Sequence, residues 1–265
     1  MIADYHLHTR FSGDSDADPH DVCKQAIQLG MKSICITDHC DTDSEETEFI
    51  LDTEAYIPYM TKLKEEYEGR LDLRIGVELG LQTHLAQRHV DYVQKYPFDF
   101  VIGSRHMVNG VDPYYADKAF TGKEDREIYK DYLEQLLENI QAFHDYQVVG
   151  HIDYVVRYGR HQEEQYSYKE FAEIIDAILA QVIHDDRGIE INTAGLYKGL
   201  SFPHPHYDII KRYKEMGGKI ITLGSDAHEP SKIGSHFAPV IAYLKEIGFE
   251  YIAEYRQKIP SFIHI

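Results

Sequence analysis

Two short motifs place metal-binding side chain types two residues apart. His6 and His8 form the first motif, and Asp226 and His228 form the second. Side chains two residues apart on an extended strand point to the same side, so each pair can approach one ion. Imidazole nitrogens and carboxylate oxygens are common ligands of zinc, manganese and iron. These spacings therefore predict a metal site.

The set of ligand-type residues is larger than one ion requires. Most of them come at or just after the end of a predicted strand, and the full set is His6, His8, Asp14, His39, Glu78, His106, His151, Asp226 and His228. A single ion takes three or four protein ligands, so this set predicts two or three divalent ions, with zinc, manganese and iron all acceptable. Each residue alone has an ordinary alternative, such as a solvated rim carboxylate for Glu78 or a packed imidazole for His106.

Short β-type runs alternate with amphipathic helical segments along the chain. The predicted strands are Ile2–Tyr5, Ser33–Thr37, Leu71–Leu79, Phe98–Gly103, Gln147–Gly150, Gly188–Asn192, Lys219–Leu223 and a short one near Glu250. The predicted helices are Pro19–Leu29, Glu54–Tyr67, Leu85–Lys95, Glu124–His144, Tyr168–Ile183, Pro205–Met216 and Phe237–Ile247. About seven βα units favour a parallel (β/α) barrel over an open sheet. Sites in such barrels lie at the carboxyl ends of the strands, where the candidate ligands come.

Composition narrows the class of protein. With 265 residues, 43% of them hydrophobic, the chain is expected to form a single domain over 1–265. A net charge of -18 disfavours nucleic acid and anionic membrane partners, and we expect a small-molecule substrate. The three cysteines form no CxxC pair, and no apolar run is long enough for a membrane span, which predicts a cytoplasmic location.

Six motifs, in chain order and at similar spacing, resemble the PHP (polymerase and histidinol phosphatase) family. They are Asp4–Thr9, Thr37–His39, Gly76–Glu78, Gly103–His106, Gly150–Asp153 and Ser225–His228. The length of the chain, Arg157 and Arg160 after the fifth motif, and the ending Phe249–Arg256 are similar to the histidinol-phosphatase branch. The resemblance spans nearly the whole chain.

This resemblance implies a distorted seven-stranded (β/α) barrel, TIM-like in design, with a trinuclear metal site. The first ion would take His6, His8, Glu78 and Asp226. Glu78 would bridge to a second ion held by His106 and His151. The third ion would take Asp14, His39 and His228. The family often has histidine where this chain has Asp14, and a carboxylate there could change the metal preference.

The branch implies hydrolysis of L-histidinol phosphate to L-histidinol and phosphate in histidine biosynthesis. In this hypothesis, a hydroxide bridging two ions attacks phosphorus while an arginine holds the phosphate oxygens. Arg160 is the preferred arginine, with Arg157 as the second candidate and Arg105 and Arg10 as possible substitutes. The leaving alkoxide must be protonated. The proton could come from a water on the third ion, from Asp153, or from His228, which is also a candidate ligand.

A loop over 109–121 is a candidate cover for the site. Tyr115 and Asp117 in this loop are candidate substrate contacts, although loop packing is an equally ordinary role for the aromatic residues.

Three other functions stay open at this stage. The chain could hydrolyse another small monoester or a nucleotide, or it could be an amidohydrolase, although repeated Asp-His pairs fit the PHP pattern better. It could also bind metal without catalysis. Neither a GxSxG nucleophile motif nor a phosphate-binding P-loop is present in the sequence.

Overall fold

The computed structural model describes residues 2–42, 49–108 and 110–265. Its main sheet is parallel, and its strands follow one another around the sheet nearly in chain order. These strands are β1 (Ser33–Ile36), β2 (His39–Cys40), β3 (Asp72–Gly80), β4 (Phe100–Ser104), β5 (Val148–Val149), β6 (Gly188–Asn192) and β7 (Ile221–Gly224). The two-residue strand β2 is paired with β3 beyond the end of β1. The sheet therefore presents one carboxyl edge, as the prediction of a parallel barrel requires.

The chain between Asp4 and His8 lies between the two edge strands of this sheet. On one side Cys35 N donates to Asp4 O at 2.9 Å, and on the other Tyr5 N donates to Leu223 O at 2.9 Å. Only isolated bridges form here, at Asp4 and Leu7, so the predicted strand Ile2–Tyr5 is an extended segment rather than a regular strand. It joins β1 to β7 and gives the curled sheet the form of a distorted barrel.

The helices cover the outside of the sheet. They are α1 (Pro19–Gln28), α2 (Thr53–Glu66), α3 (Ala86–Lys95), α4 (Ala116–Ala119), α5 (Asp125–Ala142), α6 (Ala172–His184), α7 (Ala194–Tyr197), α8 (Tyr207–Glu215) and α9 (Phe237–Glu246). All seven predicted helices are confirmed within a few residues, and the two very short ones, α4 and α7, were not predicted. Among the described helices, none has the length and apolarity that crossing a bilayer requires.

Local capping explains several helix boundaries. Helix α1 starts where Asp18 accepts a hydrogen bond from His20 N, with Pro19 in the first turn, and it ends before Gly30 at φ +75°. Helix α5 starts at a capping box between Glu124 and Glu127. The segment from Tyr168 begins with a 3-10 turn and becomes α-helical only from Ala172, so the predicted start was four residues early.

An antiparallel hairpin follows the barrel. Its strands are β8 (Tyr251–Arg256), where a final strand was predicted, and β9 (Ile259–His264), which was not predicted. Tyr255 fixes the hairpin to the barrel: Tyr5 Oη donates to Tyr255 O at 3.0 Å, and Tyr255 N donates to Tyr5 Oη at 2.8 Å. The Tyr255 ring also lies 5.1 Å from the ring of Phe100, at the amino end of β4. The hairpin thus packs against the amino ends of the strands, opposite their carboxyl ends.

We expect Tyr255→Ala to destabilise the protein strongly. Tyr255 is 4% exposed, so truncation leaves a cavity under the hairpin and should cost about 3–5 kcal/mol of unfolding free energy. The control is Tyr251→Ala in the same strand, where the side chain is 44% exposed and the cost should stay under about 1 kcal/mol. Urea unfolding midpoints of the two variants test this, and equal losses would show that the hairpin does not seal the barrel.

Candidate metal centre

Glu78 lies at the centre of the carboxyl edge and is fully buried. Its strand, β3, is paired with β2 in a register that sets His39 directly beside Glu78. The two carboxylate oxygens face different groups of imidazoles. Oε2 lies 2.9 Å from His39 Nδ1, 3.1 Å from His6 Nε2 and 3.5 Å from His8 Nε2. Oε1 lies 2.7 Å from His151 Nε2 and 3.1 Å from His106 Nε2.

Asp226 joins the group that contains His6 and His8. Asp226 Oδ1 lies 3.3 Å from His8 Nε2 and 3.7 Å from His6 Nε2. Its backbone has φ +53°, a left-handed conformation that is unusual for a residue with a side chain and often marks a functional position. The two spaced pairs found in the sequence therefore meet in space, because the first extended segment and β7 are neighbours.

Asp14 meets His39 and His228 at the outer side of the cluster. Asp14 Oδ2 lies 2.9 Å from His228 Nε2 and 3.6 Å from His39 Nε2. The His8 ring lies between the other two imidazoles, with centroid distances of 4.2 Å to both His39 and His228. The structure thus brings all nine predicted ligands to one place.

The electrostatic environment sets complementary protonation states. Burial alone would raise the pKa of Glu78, but the imidazoles of His6 and His106 hold it well below its usual value. Burial disfavours charge on His6, yet the carboxylates of Glu190 and Glu78 raise its pKa well above normal. Burial and the nearby ring of His39 lower the pKa of His8 well below normal. The shifts of Glu78 and His8 favour an ionised carboxylate and a neutral imidazole, the forms that bind metal, whereas the raised pKa of His6 favours a proton that a bound cation would displace.

Several buried candidate ligand atoms lie close to one another without hydrogen-bond geometry and have no hydrogen-bond partner among the described residues. They are His6 Nε2, His8 Nε2, His39 Nδ1 and Glu78 Oε2. Buried polar atoms are rarely left without partners, and here all four converge on one point. Groups of three ligand atoms within 4.8 Å of one another include His6 with His8 and Glu78, His8 with His39 and His228, and Glu78 with His106 and His151. The residues present therefore fit bound divalent cations.

Two carboxylates that the sequence reasoning missed support the imidazoles from behind. Glu190 Oε1 lies 2.5 Å from His6 Nδ1, and both carboxylate oxygens of Asp41 lie 3.1 Å from His106 Nδ1. Such outer carboxylates fix the tautomer of a ligating histidine. Glu190 precedes the end of its strand and Asp41 lies in a loop after β2, so neither has a recognisable spacing. Each carboxylate lies beside a glycine in the folded protein, Gly224 for Glu190 and Gly80 for Asp41, but these glycines are distant in sequence and gave no signal.

Those glycines leave room for the outer carboxylates. A Cβ at Gly224 would lie 2.3 Å from Glu190 Oε1, and a Cβ at Gly80 would lie 1.7 Å from Asp41 Oδ1. Either distance is far below a permitted contact. Each glycine is therefore needed for the carboxylate beside it to occupy its place.

The cluster opens into a cavity of ≈ 710 Å³. Arg157 lines this cavity, and its Nη1 lies 4.0 Å from Asp226 Oδ2 without a hydrogen-bond partner among the described residues. Lys198, which was not predicted, also lines it, and burial, with Arg157 nearby, lowers its pKa. Asp112 and Tyr115 lie at the cavity wall as well. Lys198 and Asp112 come in loops without any motif, so their spacing carried no signal.

The structure does not bring the other predicted substrate and acid residues into this cavity. Arg160 is exposed and is absent from the described cavity lining, because the chain turns outward after Arg157. Arg105 points to the opposite face of β4 from His106 and lines a separate pocket. Asp153 is buried, with Oδ1 2.6 Å from His204 Nδ1 and Oδ2 accepting from His206 N at 2.8 Å. The side chain of Asp117 lies outside the described residues.

A parallel barrel that gathers five imidazoles around one carboxylate is typical of metal-dependent hydrolases. Residues 4–194 match the PHP domain, and the chain belongs to the PHP family. Asp226 and His228 lie beyond the matched residues, although they complete the cluster.

Similar proteins cover nearly the whole chain. The histidinol-phosphatase of Lactococcus lactis is 30% identical over 95% of this chain and 93% of its own. A probable histidinol-phosphatase of Clostridium acetobutylicum is 32% identical over 94% of this chain and 97% of its own. The crystal structure of the Lactococcus lactis histidinol phosphate phosphatase, complexed with zinc, L-histidinol and phosphate, superposes with a TM-score of 0.91 at 29% identity, covering 98% of both chains.

Glu190→Gln is expected to weaken metal binding while the fold is retained. Glutamine can still accept from His6 Nδ1 but no longer offers a negative charge, and losing such an outer partner typically costs about 10–100-fold in metal affinity. Metal titration with a competing chelator measures the change, with circular dichroism to check folding. Glu254→Gln in the distant hairpin is the control and should leave the affinity unchanged. An affinity for Glu190→Gln equal to that of the control would contradict the supporting role.

Proposed function

We propose that this protein is a metal-dependent phosphatase that hydrolyses L-histidinol phosphate to L-histidinol and phosphate. One observation carries the proposal: Nη1 of Arg157, a buried atom without a hydrogen-bond partner among the described residues, lies at the same cavity as a cluster of buried candidate ligand atoms. A guanidinium matches phosphate oxygens, and the cluster suits cations that also attract phosphate. The two relatives, both carrying histidinol-phosphatase names, support this choice of substrate.

Three metal ions fit the proposed site. His6, His8, Glu78 and Asp226 would hold the first; Glu78 with His106 and His151 the second; and Asp14, His39 and His228 the third. The zinc in the Lactococcus lactis structure favours zinc, and manganese or iron would suit the same ligands. When bound, such ions supply positive charge for phosphate oxygens and lower the pKa of water. The protein contributes by fixing the ligands and by holding the substrate.

Arg157 and Lys198 are our candidates for holding the phosphate group. Arg157 Nη2 donates to Tyr158 Oη at 2.6 Å, and its guanidinium lies 4.4 Å from the centroid of the Tyr154 ring. These contacts fix the plane of the guanidinium and leave Nη1 free for an oxygen of the substrate. Lys198 adds a second positive charge in the same cavity. Together they would position phosphorus and offset the charge of its oxygens.

The remaining part of the cavity suits a cationic organic group. Asp112 lines it beside the aromatic residues Tyr114 and Tyr115. The Asp112 carboxylate accepts from Tyr114 N at 2.8 Å, which holds the loop and the acid together. We infer that the ammonium and imidazole groups of L-histidinol phosphate occupy this acidic and aromatic part while the phosphate reaches Arg157.

We propose that Asp153 holds the chain next to His151 in position and does not act as the acid that protonates the leaving group. Both of its oxygens are engaged, by His204 Nδ1 and by His206 N, and it lies just after His151 in the chain. Of the two predicted acids, His228 is the one that lines the cavity. As a ligand of the third ion through Nε2, with Nδ1 3.0 Å from Asp226 O, it would have no proton to give to the leaving alkoxide, so we assign His228 to the ion and neither predicted residue as the acid.

We further propose that the reaction takes place in the cytoplasm and that residues 1–265 act as one domain. All three cysteines are unpaired and buried, as suits a reducing compartment. Ligands come from both the first extended segment and the segment after β7, so the site needs nearly the full length of the chain.

Phosphate release from a substrate panel tests the proposed reaction. The panel contains L-histidinol phosphate, two sugar phosphates, a nucleoside monophosphate and a short single-stranded DNA, each with zinc- or manganese-loaded protein. We expect L-histidinol phosphate to be preferred by roughly 100-fold or more in kcat/KM, because it alone combines a phosphate with cationic groups that suit Asp112. Chelation should abolish release, and restoring the metal should recover it.

Preference for another monoester with the same metal dependence would leave the site correct and the substrate wrong. Absence of release with every metal would refute the enzyme and favour a metal-binding role. In the same assay, Asp112→Asn should reduce the preference for L-histidinol phosphate over a sugar phosphate. The metal content of this variant should stay unchanged.

Arg157→Gln should lower kcat/KM for L-histidinol phosphate by about 10–100-fold, because a charged hydrogen bond to the phosphate is lost. Arg160→Gln removes an equivalent guanidinium from outside the cavity and should change kcat/KM less than about twofold. Arg157→Lys, which keeps the charge but not the planar geometry, should fall between them. Steady-state kinetics on folded, metal-loaded variants provides the test, and a larger effect from Arg160→Gln would reverse the assignment.

A further inference from the structure

Arg105 is a buried cation without a counter-ion. Its side chain is 5% exposed, and in the described part of the chain no carboxylate oxygen lies within salt-bridge distance. Its Nη2 donates to Gln135 Oε1, its Nε has no described hydrogen-bond partner, and its guanidinium lies 5.6 Å from the centroid of the Tyr132 ring. An amide and an aromatic face compensate a buried positive charge only in part.

The backbone at this position is held firmly, since Tyr132 Oη donates to Arg105 O at 2.8 Å. The guanidinium is thus fixed in a place where its charge is poorly compensated.

A pocket of ≈ 150 Å³ opens beside Arg105. Its lining includes the polar side chains of Gln135 and Asn139, and Glu138, an exposed acid, at the rim. A water molecule in the liquid takes about 30 Å³, so the pocket has room for a small anion and some of its hydration. Gln82, Met107 and Gly110 line both this pocket and the main cavity, which makes the two adjacent.

We propose that this second pocket binds a small oxyanion through Arg105, separately from the metal cluster. Phosphate and carboxylate share the chemistry that a guanidinium recognises, namely two oxygens in one plane. Arg105 has no counter-ion among its described neighbours, and a bound oxyanion would supply the missing negative charge. This inference rests on the contacts of Arg105 and does not depend on the proposed phosphatase function.

Binding of inorganic phosphate to the metal-loaded protein tests the site by isothermal titration calorimetry. We expect two bound equivalents in the unmodified protein, one at the cluster and one at Arg105. Arg105→Gln should weaken the second equivalent by about 10–100-fold and retain the first. Arg157→Gln should weaken the first and retain the second. Arg160→Gln, an exposed arginine outside both pockets, is the control and should retain both.

Two further variants keep the test decisive. Arg105→Lys retains the charge and should keep a weakened second equivalent, even where Arg105→Gln fails to fold. Glu138→Gln removes a like charge at the rim and should tighten the second equivalent. Acetate titrated in the same way shows which class of anion the pocket binds. Competition with the second phosphate indicates a site for both carboxylate and phosphate. No competition indicates a site for phosphate alone.

One bound equivalent in the unmodified protein, or two in folded Arg105→Gln, would overturn the proposal. These outcomes are distinct from a failure of the phosphatase reaction, because the second equivalent is counted by binding and not by turnover. A protein inactive on every phosphate ester could still retain it, and a fully active enzyme could lack it.

Discussion

The carboxylate of Glu78 is the constraint on which the rest of the site depends. It is fully buried, and a buried charge is costly unless opposite charges or hydrogen-bond donors surround it. Five imidazoles and the hydroxyl of Ser104, 2.7 Å away, meet that need. Because these groups come from different strand ends, satisfying one carboxylate requires the strands to stand side by side in register. Fold and site are therefore coupled through a single residue of β3.

The two ends of the barrel differ in the kind of side chain that they bury. At the amino ends, the hairpin buries Tyr255 against Phe100 and Tyr5, which adds apolar packing where no ligand is needed. At the carboxyl ends, polar groups are held by other polar groups: Glu190 orients His6, and Asp41 orients His106. Buried polar atoms are therefore concentrated in the candidate ligand cluster at one end, and the apolar packing of the hairpin lies at the other.

One part of the cavity carries positively charged side chains although the molecule as a whole is acidic. The protein carries a net charge of -18, which repels phosphate esters at a distance. Within the cavity, the guanidinium of Arg157 is largely withdrawn from water, where its charge acts more strongly than on the surface, and the exposed Lys198 adds a second positive charge. Metal ions at the carboxylate and imidazole cluster would add to this positive region. A substrate that carries both an anionic and a cationic group then suits this protein better than a purely anionic substrate.

The sequence by itself determined the strand and helix order, the parallel barrel and the nine clustered side chains, because periodicity and short-range spacing encode them. His6 and His8 share a face through the period of two, and Glu78 lies near the carboxyl end of β3. Only the tertiary structure decided which polar residues outside motifs join them. Glu190 and Asp41 support histidines that are distant in sequence, Lys198 enters the cavity from a loop, and Arg157 rather than Arg160 faces it. Such placements depend on the course of the loops and on which residues of neighbouring strands lie next to each other. No local sequence pattern indicates either.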